Sequence, residues 1–374
     1  MTCTSLDHDY MKIQREALVA DMHCDTAMKM VDGFQISSYD SSSAIDLLRL
    51  KEGGVDLQVF ACFEFTDTPP DQAVSTIDTM IDTLEAQFGR NSRSIAICRT
   101  AEEARQIIKQ GKIAAFIGIE NGVAINNDLA NLEHFYDRGV RYLTLTHTSS
   151  NDWAISSADT AQAFYGLTDF GRDVVRKMNE LGMIIDVSHS APSTVEEVLK
   201  ITTDPVIASH SDVYALCPSD RNLTDGQIRA IAENGGVIGI NFFKGYLSKR
   251  WLEVDDSITS ANQELINSLR EAYKDDYGQF RRALAPLYKD KLAEIKVDVS
   301  TVVDHIDYIV KLVGPDYVGL GSDFDGVHSL PEGLTNCAMM PNITKELVKR
   351  GYSQEDIDKI LGGNFMRVFQ KVCG

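Results

Sequence analysis

Apolar runs alternate with amphipathic segments along almost the whole chain. Eight of the runs are short and rich in β-branched or aromatic residues, with apolar side chains at consecutive positions. This pattern is typical of strands buried on both faces of a sheet. The segments between the runs are predicted as helices, for example at residues 101–109, 169–180 and 192–200. The predicted strands are residues 18–22, 55–63, 112–120, 142–146, 183–187, 205–209, 236–243 and 317–323.

A strand followed by a helix, repeated eight times, predicts a (β/α)8 TIM barrel. Successive right-handed connections between parallel strands turn the same way, so that eight of them close a ring. An open doubly wound sheet is the alternative, but no Gly-x-Gly-x-x-Gly turn follows any predicted strand. We expect one domain over residues 1–374, with a helical insertion over the barrel mouth at residues 245–296 and further helices at residues 342–374.

Charge and cysteine content limit the possible partners and compartments. The net charge of −19, from 55 acidic and 36 basic residues, repels phosphate backbones and acidic lipid surfaces, so we expect no nucleic-acid or membrane partner. The seven cysteines form no Cys-x-x-Cys pair and their number is odd, which favours free thiols. Neither a signal-peptide pattern nor a membrane-length apolar run is present, so we predict a cytoplasmic protein.

Six of the predicted strands end in side chains that commonly bind metal ions. Four of the eight histidines in the chain are among them. Barrel enzymes carry their active groups at the C-terminal ends of the strands, so these side chains are expected to meet on one rim. A histidine alone is most often a structural residue, but this combination predicts a metal site. The residues are His23, Asp25, Glu120, His147, His189, His210 and Asp323.

The predicted ligands suit two ions better than one. His23 and Asp25 would bind one cation, and His189 and His210 the other, with a carboxylate shared between them. Many barrel hydrolases use a carboxylated lysine on the fourth strand as this bridge, but no lysine ends that strand here. Glu120 is the available bridging group. Two Zn²⁺ ions roughly 3.5–4 Å apart can share a hydroxide and polarise a carbonyl group.

Several motifs of the chain have the pattern of one enzyme family. They are Asp-Met-His-Cys-Asp at 21–25, Tyr-Leu-Thr-Leu-Thr-His at 142–147, Asp-Val-Ser-His at 186–189, Ser-His-Ser at 209–211 with Asp-Arg-Asn at 220–222, and Gly-Leu-Gly-Ser-Asp-Phe-Asp-Gly at 319–326. With these motifs the chain resembles the renal (membrane) dipeptidase family, peptidase family M19. The resemblance implies a zinc-dependent hydrolase that cleaves L,L-dipeptides and some L,D-dipeptides and commonly forms a homodimer.

The resemblance also implies a role for individual residues. Five residues would hold two zinc ions, with Glu120 shared between the ions. They are His23, Asp25, Glu120, His189 and His210. His147 would face the scissile carbonyl and stabilise its oxyanion, and Asp323 would carry the proton from the bridging water to the leaving amine. Arg221 would bind the C-terminal carboxylate of the substrate. Asp325 competes with Asp323 for the proton role, although it is expected to lie further from the rim.

Two other functions stay open at this point. Another barrel amidohydrolase, such as a deaminase or a lactonase, would use the same metals but would need no arginine for a carboxylate. A metal-binding or scaffolding protein without catalytic activity is the third possibility. The complete ligand set, together with Asp323, argues against the third possibility.

Overall fold

The computed structural model describes residues 5–159, 161, 163–273 and 277–374. Strands alternate with helices through the chain, and four single turns of 3₁₀- or π-helix lie at Gly122–Ile125, Pro315–Tyr317, Cys337–Met339 and Lys359–Gly363. The strands are β1 (Ala20–Asp21), β2 (Leu57–Phe63), β3 (Ile95–Ile97), β4 (Ile113–Glu120), β5 (Val140–Thr144), β6 (Ile184–Asp186), β7 (Ile207–Ala208), β8 (Val237–Ile240) and β9 (Val318–Leu320). The helices are α1 (Ser5–Glu16), α2 (Thr26–Val31), α3 (Leu47–Gly53), α4 (Pro70–Arg90), α5 (Ala101–Lys109), α6 (Leu129–Asp137), α7 (Asp169–Leu181), α8 (Pro192–Ile201), α9 (Asp225–Glu233), α10 (Lys244–Leu247), α11 (Lys249–Ala261), α12 (Gln263–Ala272), α13 (Tyr277–Ala293), α14 (Val299–Val313), α15 (Pro341–Lys349), α16 (Gln354–Asp358) and α17 (Asn364–Cys373).

Eight parallel strands close into a barrel. β1 pairs with β2 on one side and with β9 on the other, and β2 pairs in turn with β4. From β4 to β9 each strand pairs with the next along the chain. The ring is therefore complete, and the predicted (β/α)8 TIM barrel is confirmed.

The apolar pattern did not predict β3. This strand pairs Ile95 with Ile113 at the start of β4 and has no second strand neighbour, so it lies outside the closed ring. Of its three residues only Ile95 is fully buried. A three-residue strand with one buried side chain is too short to show a period of two, which explains why the sequence did not reveal it.

The long central strands are buried on both faces, as their continuous apolar sequences predict. All seven residues of β2 and all eight of β4 are buried. The last helix, α17, packs Phe365 and Phe369 against Phe116 of β4, with ring centroids 5.6 and 4.9 Å apart. Several helices begin at a polar capping residue, such as Thr224 before α9, which forms a full capping box with Gln227.

In several strands the hydrogen-bonded pairing with the neighbouring strands ends earlier than predicted. β8 stops at Ile240, whereas the sequence predicts a strand to residue 243. The next side chain, Asn241, bonds to a group on the barrel rim instead of continuing the ladder. The strands therefore pass directly into the segments that carry polar side chains at the rim.

Helices α10 to α13 follow β8, in the region predicted as an insertion. Trp251 of α11 is buried against Phe243, with ring centroids 5.2 Å apart, which fastens the start of this helical region to the segment after β8. Further along, Ile266, Phe280 and Leu284 form a small apolar cluster of their own. That the region covers the barrel mouth stays a prediction. Among the described helices, none is long and apolar enough to cross a membrane.

Candidate active site

The five predicted metal ligands converge at the C-terminal ends of the barrel strands. All five are buried, and His23 is fully so. Glu120, the last residue of β4, lies at the centre of the group. Its Oε1 is 3.0 Å from Nε2 of His189 and 3.3 Å from Nε2 of His210, and its Oε2 is 3.5 Å from Nε2 of His23. Nε2 of His23 is also 3.5 Å from Oδ2 of Asp25. The two oxygens of one carboxylate thus face two different sets of ligands.

The same atoms fit metal ions. The Nε2 atoms of His189 and His210 lie 2.9 Å apart, and Nε2 of His23 has no hydrogen-bonding partner among the described residues. Burial lowers the pKa of both His189 and His210 well below the ordinary value, so their rings are neutral and offer lone pairs. Imidazole nitrogens mixed with carboxylate oxygens are the ligands that Zn²⁺ prefers. The residues present therefore fit a bound metal ion.

The charge distribution also favours a cation at this position. Burial alone lowers the pKa of His23, but the charges of Glu120 and Asp25 outweigh it and leave the pKa well above its ordinary value. For Glu120 the balance is reversed. Burial raises its pKa, while His23 and the two other histidines bring it well below the ordinary value. The carboxylate of Glu120 is thus stabilised by the positive charge of His23 in this structure. A bound metal ion would supply positive charge at the same position.

Ser209 and Asp186 hold the ring of His210 in place. Oγ of Ser209 donates to Oδ2 of Asp186 at 2.6 Å and lies 2.7 Å from Nδ1 of His210. Because the hydroxyl hydrogen is used on Asp186, Nδ1 of His210 must donate to Ser209. Nε2 then keeps its lone pair toward Glu120 and a metal. Asp186 also accepts from the hydroxyl of Thr144 at 2.6 Å, so this buried carboxylate is well satisfied.

A second buried carboxylate, Asp21, supports the opposite side of the site. It accepts from the backbone and hydroxyl of Ser322 at 2.8 and 2.6 Å and from Gln58 at 2.9 Å. Tyr142 contacts a proposed ligand directly, because its hydroxyl oxygen is 2.8 Å from Nδ1 of His23. Neither Asp21 nor Asp186 was predicted to have a role. Both stand in the strand-end motifs, two or three residues before a histidine of the predicted ligand set, and that position was the available signal.

Asp323 lies on the same rim, beside the ligands from β1. It has a backbone φ of 59°, in the left-handed region, and its amide donates to the carbonyl of His23 at 3.2 Å. One carboxylate oxygen accepts from Asn241 at 2.8 Å. Burial and the neighbouring charge of Asp25 raise the pKa of Asp323 well above the ordinary value. Asn241, which orients this acid, was not predicted.

Asp325 points to other partners. Its two oxygens accept from Nζ of Lys29 at 2.8 Å, the hydroxyls of Thr26 and Ser43 at 2.7 and 2.8 Å, and the amide of Ala44 at 2.8 Å. Both oxygens are therefore engaged in tying α2 and the loop after it to the end of β9. This leaves the carboxylate badly placed for proton transfer.

His147 borders the ligand cluster after β5. Its ring centroid is 4.5 Å from that of His189 and 4.6 Å from that of Phe63, which meets it edge-on. Burial lowers the pKa of His147, so the ring is neutral and has one N–H to donate. Nδ1 lies 3.2 Å from the hydroxyl of Thr148. His147 is thus a neutral hydrogen-bonding group at the edge of the site.

Arg221 is a buried cation on the side of the site formed by His189 and His210. Its side chain reaches back to the ligand segment, where Nη2 donates to the carbonyl of His210 at 3.1 Å. The guanidinium carbon lies 5.3 Å from the ring centroid of Tyr246. Nε has no hydrogen-bonding partner among the residues described, although Arg221 is only 5% exposed. A buried arginine with unused donors is suited to bind an anion from outside the protein.

Comparison with known proteins identifies the family and the fold of this chain. The family model of membrane dipeptidases (peptidase family M19) matches residues 8–373. The chain is 26% identical to a probable dipeptidase, PvdM, from Pseudomonas aeruginosa, over 98% of both chains and with a TM-score of 0.82. A metallopeptidase from Rhodobacter sphaeroides, solved with a phosphinate mimic of the dipeptide L-Ala-D-Ala, shares the fold. It is 23% identical over 95% of this chain and 99% of its own, with a TM-score of 0.77. The match over nearly the whole length confirms the resemblance seen in the motifs: this chain belongs to the membrane dipeptidase family, peptidase family M19.

Proposed function

We propose that this protein is a dinuclear zinc dipeptidase that hydrolyses L,L- and L,D-dipeptides. The observation that carries the proposal is the position of Glu120. Its two oxygens face His23 on one side and His189 and His210 on the other, as a bridging ligand between two ions requires. Bound there, zinc ions would polarise the scissile carbonyl and lower the pKa of water.

Two side chains perform the proton and oxyanion chemistry in this proposal. Asp323, held by Asn241, takes the proton of the attacking water and passes it to the nitrogen of the leaving amine. His147, as a neutral ring beside His189, donates its N–H to the oxygen of the tetrahedral intermediate.

Arg221 gives the site its preference for dipeptides. A dipeptide has a free carboxylate one residue beyond the scissile bond, and a guanidinium binds such a group with two parallel hydrogen bonds. The unused Nε of Arg221, on the His210 side of the site, supports this role. The ligand of the Rhodobacter sphaeroides protein mimics a dipeptide with a D-residue at its C-terminus, and we extend that stereochemical range to this chain.

The test is a panel of L,L- and L,D-dipeptides, assayed with zinc, with a chelator, and after zinc is restored. We expect dipeptides to be hydrolysed and N-acetylated or amidated analogues to be poor substrates, with activity lost in chelator and regained with metal. Turnover of a lactone or an amino-purine in place of every dipeptide would instead favour another barrel amidohydrolase.

Three further parts of the proposal follow from the sequence and the family resemblance. We propose a homodimer, which light scattering of the purified protein will test. We also propose a cytoplasmic location, which cell fractionation will test. The cysteines that the structure describes are all free thiols, which agrees with a reducing compartment. Lastly, we propose that residues 1–374 act as one domain, so limited proteolysis should yield no stable half.

A further inference from the structure

The segment that follows β5 returns to the rim and pairs with the segment that follows β6. Ser156 of the first segment forms an isolated antiparallel bridge with Ser190 of the second. Next to this bridge, the amide of Ser157 donates to the carbonyl of His189 at 2.8 Å. The segments that carry His147 and His189 are therefore fastened to each other beside the proposed metal site.

The side chain of Ser156 contacts the backbone of both histidines. Its hydroxyl oxygen is 2.5 Å from the carbonyl oxygen of His147 and 3.3 Å from that of His189. Ser156 is only 1% exposed, so water does not compete for these contacts. A hydroxyl has one hydrogen to donate, and the two distances indicate that His147 receives most of it. The stronger bond of Ser156 therefore goes to the residue that is proposed to face the scissile carbonyl.

The backbone of His147 depends on this bond more than the backbone of His189 does. Among the described residues, no other hydrogen bond reaches the backbone of His147. Its strand, β5, has already ended at Thr144, three residues earlier. The carbonyl of His189, in contrast, also accepts from the amide of Ser157. Removal of the Ser156 hydroxyl would thus free His147 and leave His189 with a second partner.

The position of His189 is itself fixed, so it can serve as the reference for His147. His189 has a backbone φ of 64°, in the left-handed region. A residue other than glycine keeps this conformation only where the contacts around it hold it there. The ring centroids of His147 and His189 lie 4.5 Å apart. Ser156, which touches both carbonyls, connects the backbones that carry these two rings.

We propose that Ser156 is a positioning residue, which holds His147 at a fixed place relative to His189 so that the N–H of the His147 ring meets the oxyanion of the substrate. The inference rests on the proposed function, in which His147 donates to that oxyanion. Such a donor must lie about 2.7–3.1 Å from the oxygen of the tetrahedral intermediate. A displacement of about 1 Å can therefore cost about 100-fold in rate.

The first test is steady-state kinetics of zinc-loaded Ser156→Ala on L-Ala-L-Ala. We expect kcat to fall by about 10- to 100-fold and KM to change by less than about twofold, with the zinc content of the wild type. Ser157→Ala is the matched control. The neighbouring hydroxyl of Ser157 is also buried but has no partner among the described residues, so its loss should leave kcat unchanged. If Ser156→Ala does not fold, Ser156→Cys, whose thiol is only a weak donor, gives the same measurement.

A double-mutant cycle determines whether Ser156 acts through His147. His147→Ala removes the proposed oxyanion donor, so nothing is left for Ser156 to position. Added to that variant, Ser156→Ala should lower kcat by less than about twofold. If Ser156 only stabilised the fold, the two losses would multiply.

A second readout needs neither metal nor substrate. The ring of His147 has a carbon-bound proton whose NMR signal can be identified by its loss in His147→Ala. In the metal-free protein we expect this signal to shift and broaden in Ser156→Ala, because the backbone that carries the ring has lost its hydrogen bond. In Ser157→Ala the signal should keep its position and width.

The outcomes separate this inference from the proposed function. An unchanged kcat in Ser156→Ala, losses that multiply in the cycle, an unmoved His147 signal, or loss of zinc in step with kcat each overturns the inference and leaves the dipeptidase intact. If His147→Ala keeps the wild-type kcat, the oxyanion role in the proposed function fails, and the inference fails with it. If the zinc-loaded wild type hydrolyses no dipeptide, the proposed function fails as a whole.

Discussion

Nδ1 of His210 lies 2.7 Å from Oγ of Ser209, and the hydroxyl of Ser209 in turn donates to a buried carboxylate. This contact determines which nitrogen of His210 is free to bind metal. A residue next to a ligand in the sequence is therefore also its orienting partner in space. Groups of this kind typically account for 10- to 100-fold in metal affinity or activity.

We expect Ser209→Ala to weaken zinc binding by about 10- to 100-fold, because the ring of His210 loses its fixed orientation and tautomer. Competition with a chelator of known affinity measures the change. Ser193→Ala, which removes a buried hydroxyl that bonds to none of the described residues, should bind zinc like the wild type. Unchanged zinc affinity in Ser209→Ala would show that the ring is held by its other neighbours.

Glu120→Ala should reduce zinc at both sites together, because the substitution removes the group that the two sets of histidines share. Elemental analysis of the dialysed protein is expected to give two ions per chain for the wild type and a loss at both positions in the variant. Glu64→Ala is the control, because Glu64 directly follows the neighbouring strand β2 but accepts from Phe65 and Thr68. Fully active wild-type protein with a single ion would rule out the dinuclear site.

Asp323→Asn should lower kcat by about 10²–10⁴-fold with the zinc content unchanged, because an amide keeps the shape but cannot accept the proton. The measurement is steady-state kinetics on one good dipeptide, with metal analysis of the same sample. A variant that keeps more than about a tenth of the wild-type kcat would mean that another group transfers the proton.

Asp325→Ala should act on stability rather than on chemistry. The substitution removes the carboxylate that pairs with Lys29 and accepts from the loop after α2, so the free energy of unfolding should fall by about 3–5 kcal/mol. Urea unfolding measures this loss. At a temperature where the variant is folded, kcat should stay within a few fold of the wild type. A large fall in kcat of the well-folded, zinc-loaded variant would mean that Asp325 takes part in the proton transfer.

Arg221→Ala should reduce kcat/KM for dipeptides by about 10- to 100-fold, since charge-assisted hydrogen bonds contribute ~1.5–3 kcal/mol each. Arg221→Lys should recover only part of the loss, because a point charge cannot form two parallel bonds. A dipeptide amide is the control. It lacks the carboxylate, so it should be a poor substrate whose turnover hardly changes. If the amide loses as much as the free acid, Arg221 is structural.

Local sequence was enough to predict the barrel and to place the proposed ligands on one rim. Continuous apolar runs between helices require a parallel sheet covered on both faces, and eight of them close a ring. Once the ring is known, a polar residue at the end of a strand must lie on the rim. His23, Glu120, His189 and His210 could therefore be placed together although they are spread over most of the chain.

Only the tertiary structure decided which polar residues support those ligands. The local sequence shows Asp21 and Asp186 only as acidic residues at the ends of strands. Their hydrogen-bonding partners, Ser322 and Ser209, come from other segments of the chain. It was likewise the fold that turned Asp325 toward Lys29. Strand period determines the face on which a side chain lies. The partner that a buried polar atom finds depends on distances between segments far apart in the chain, and these exist only once the barrel has closed.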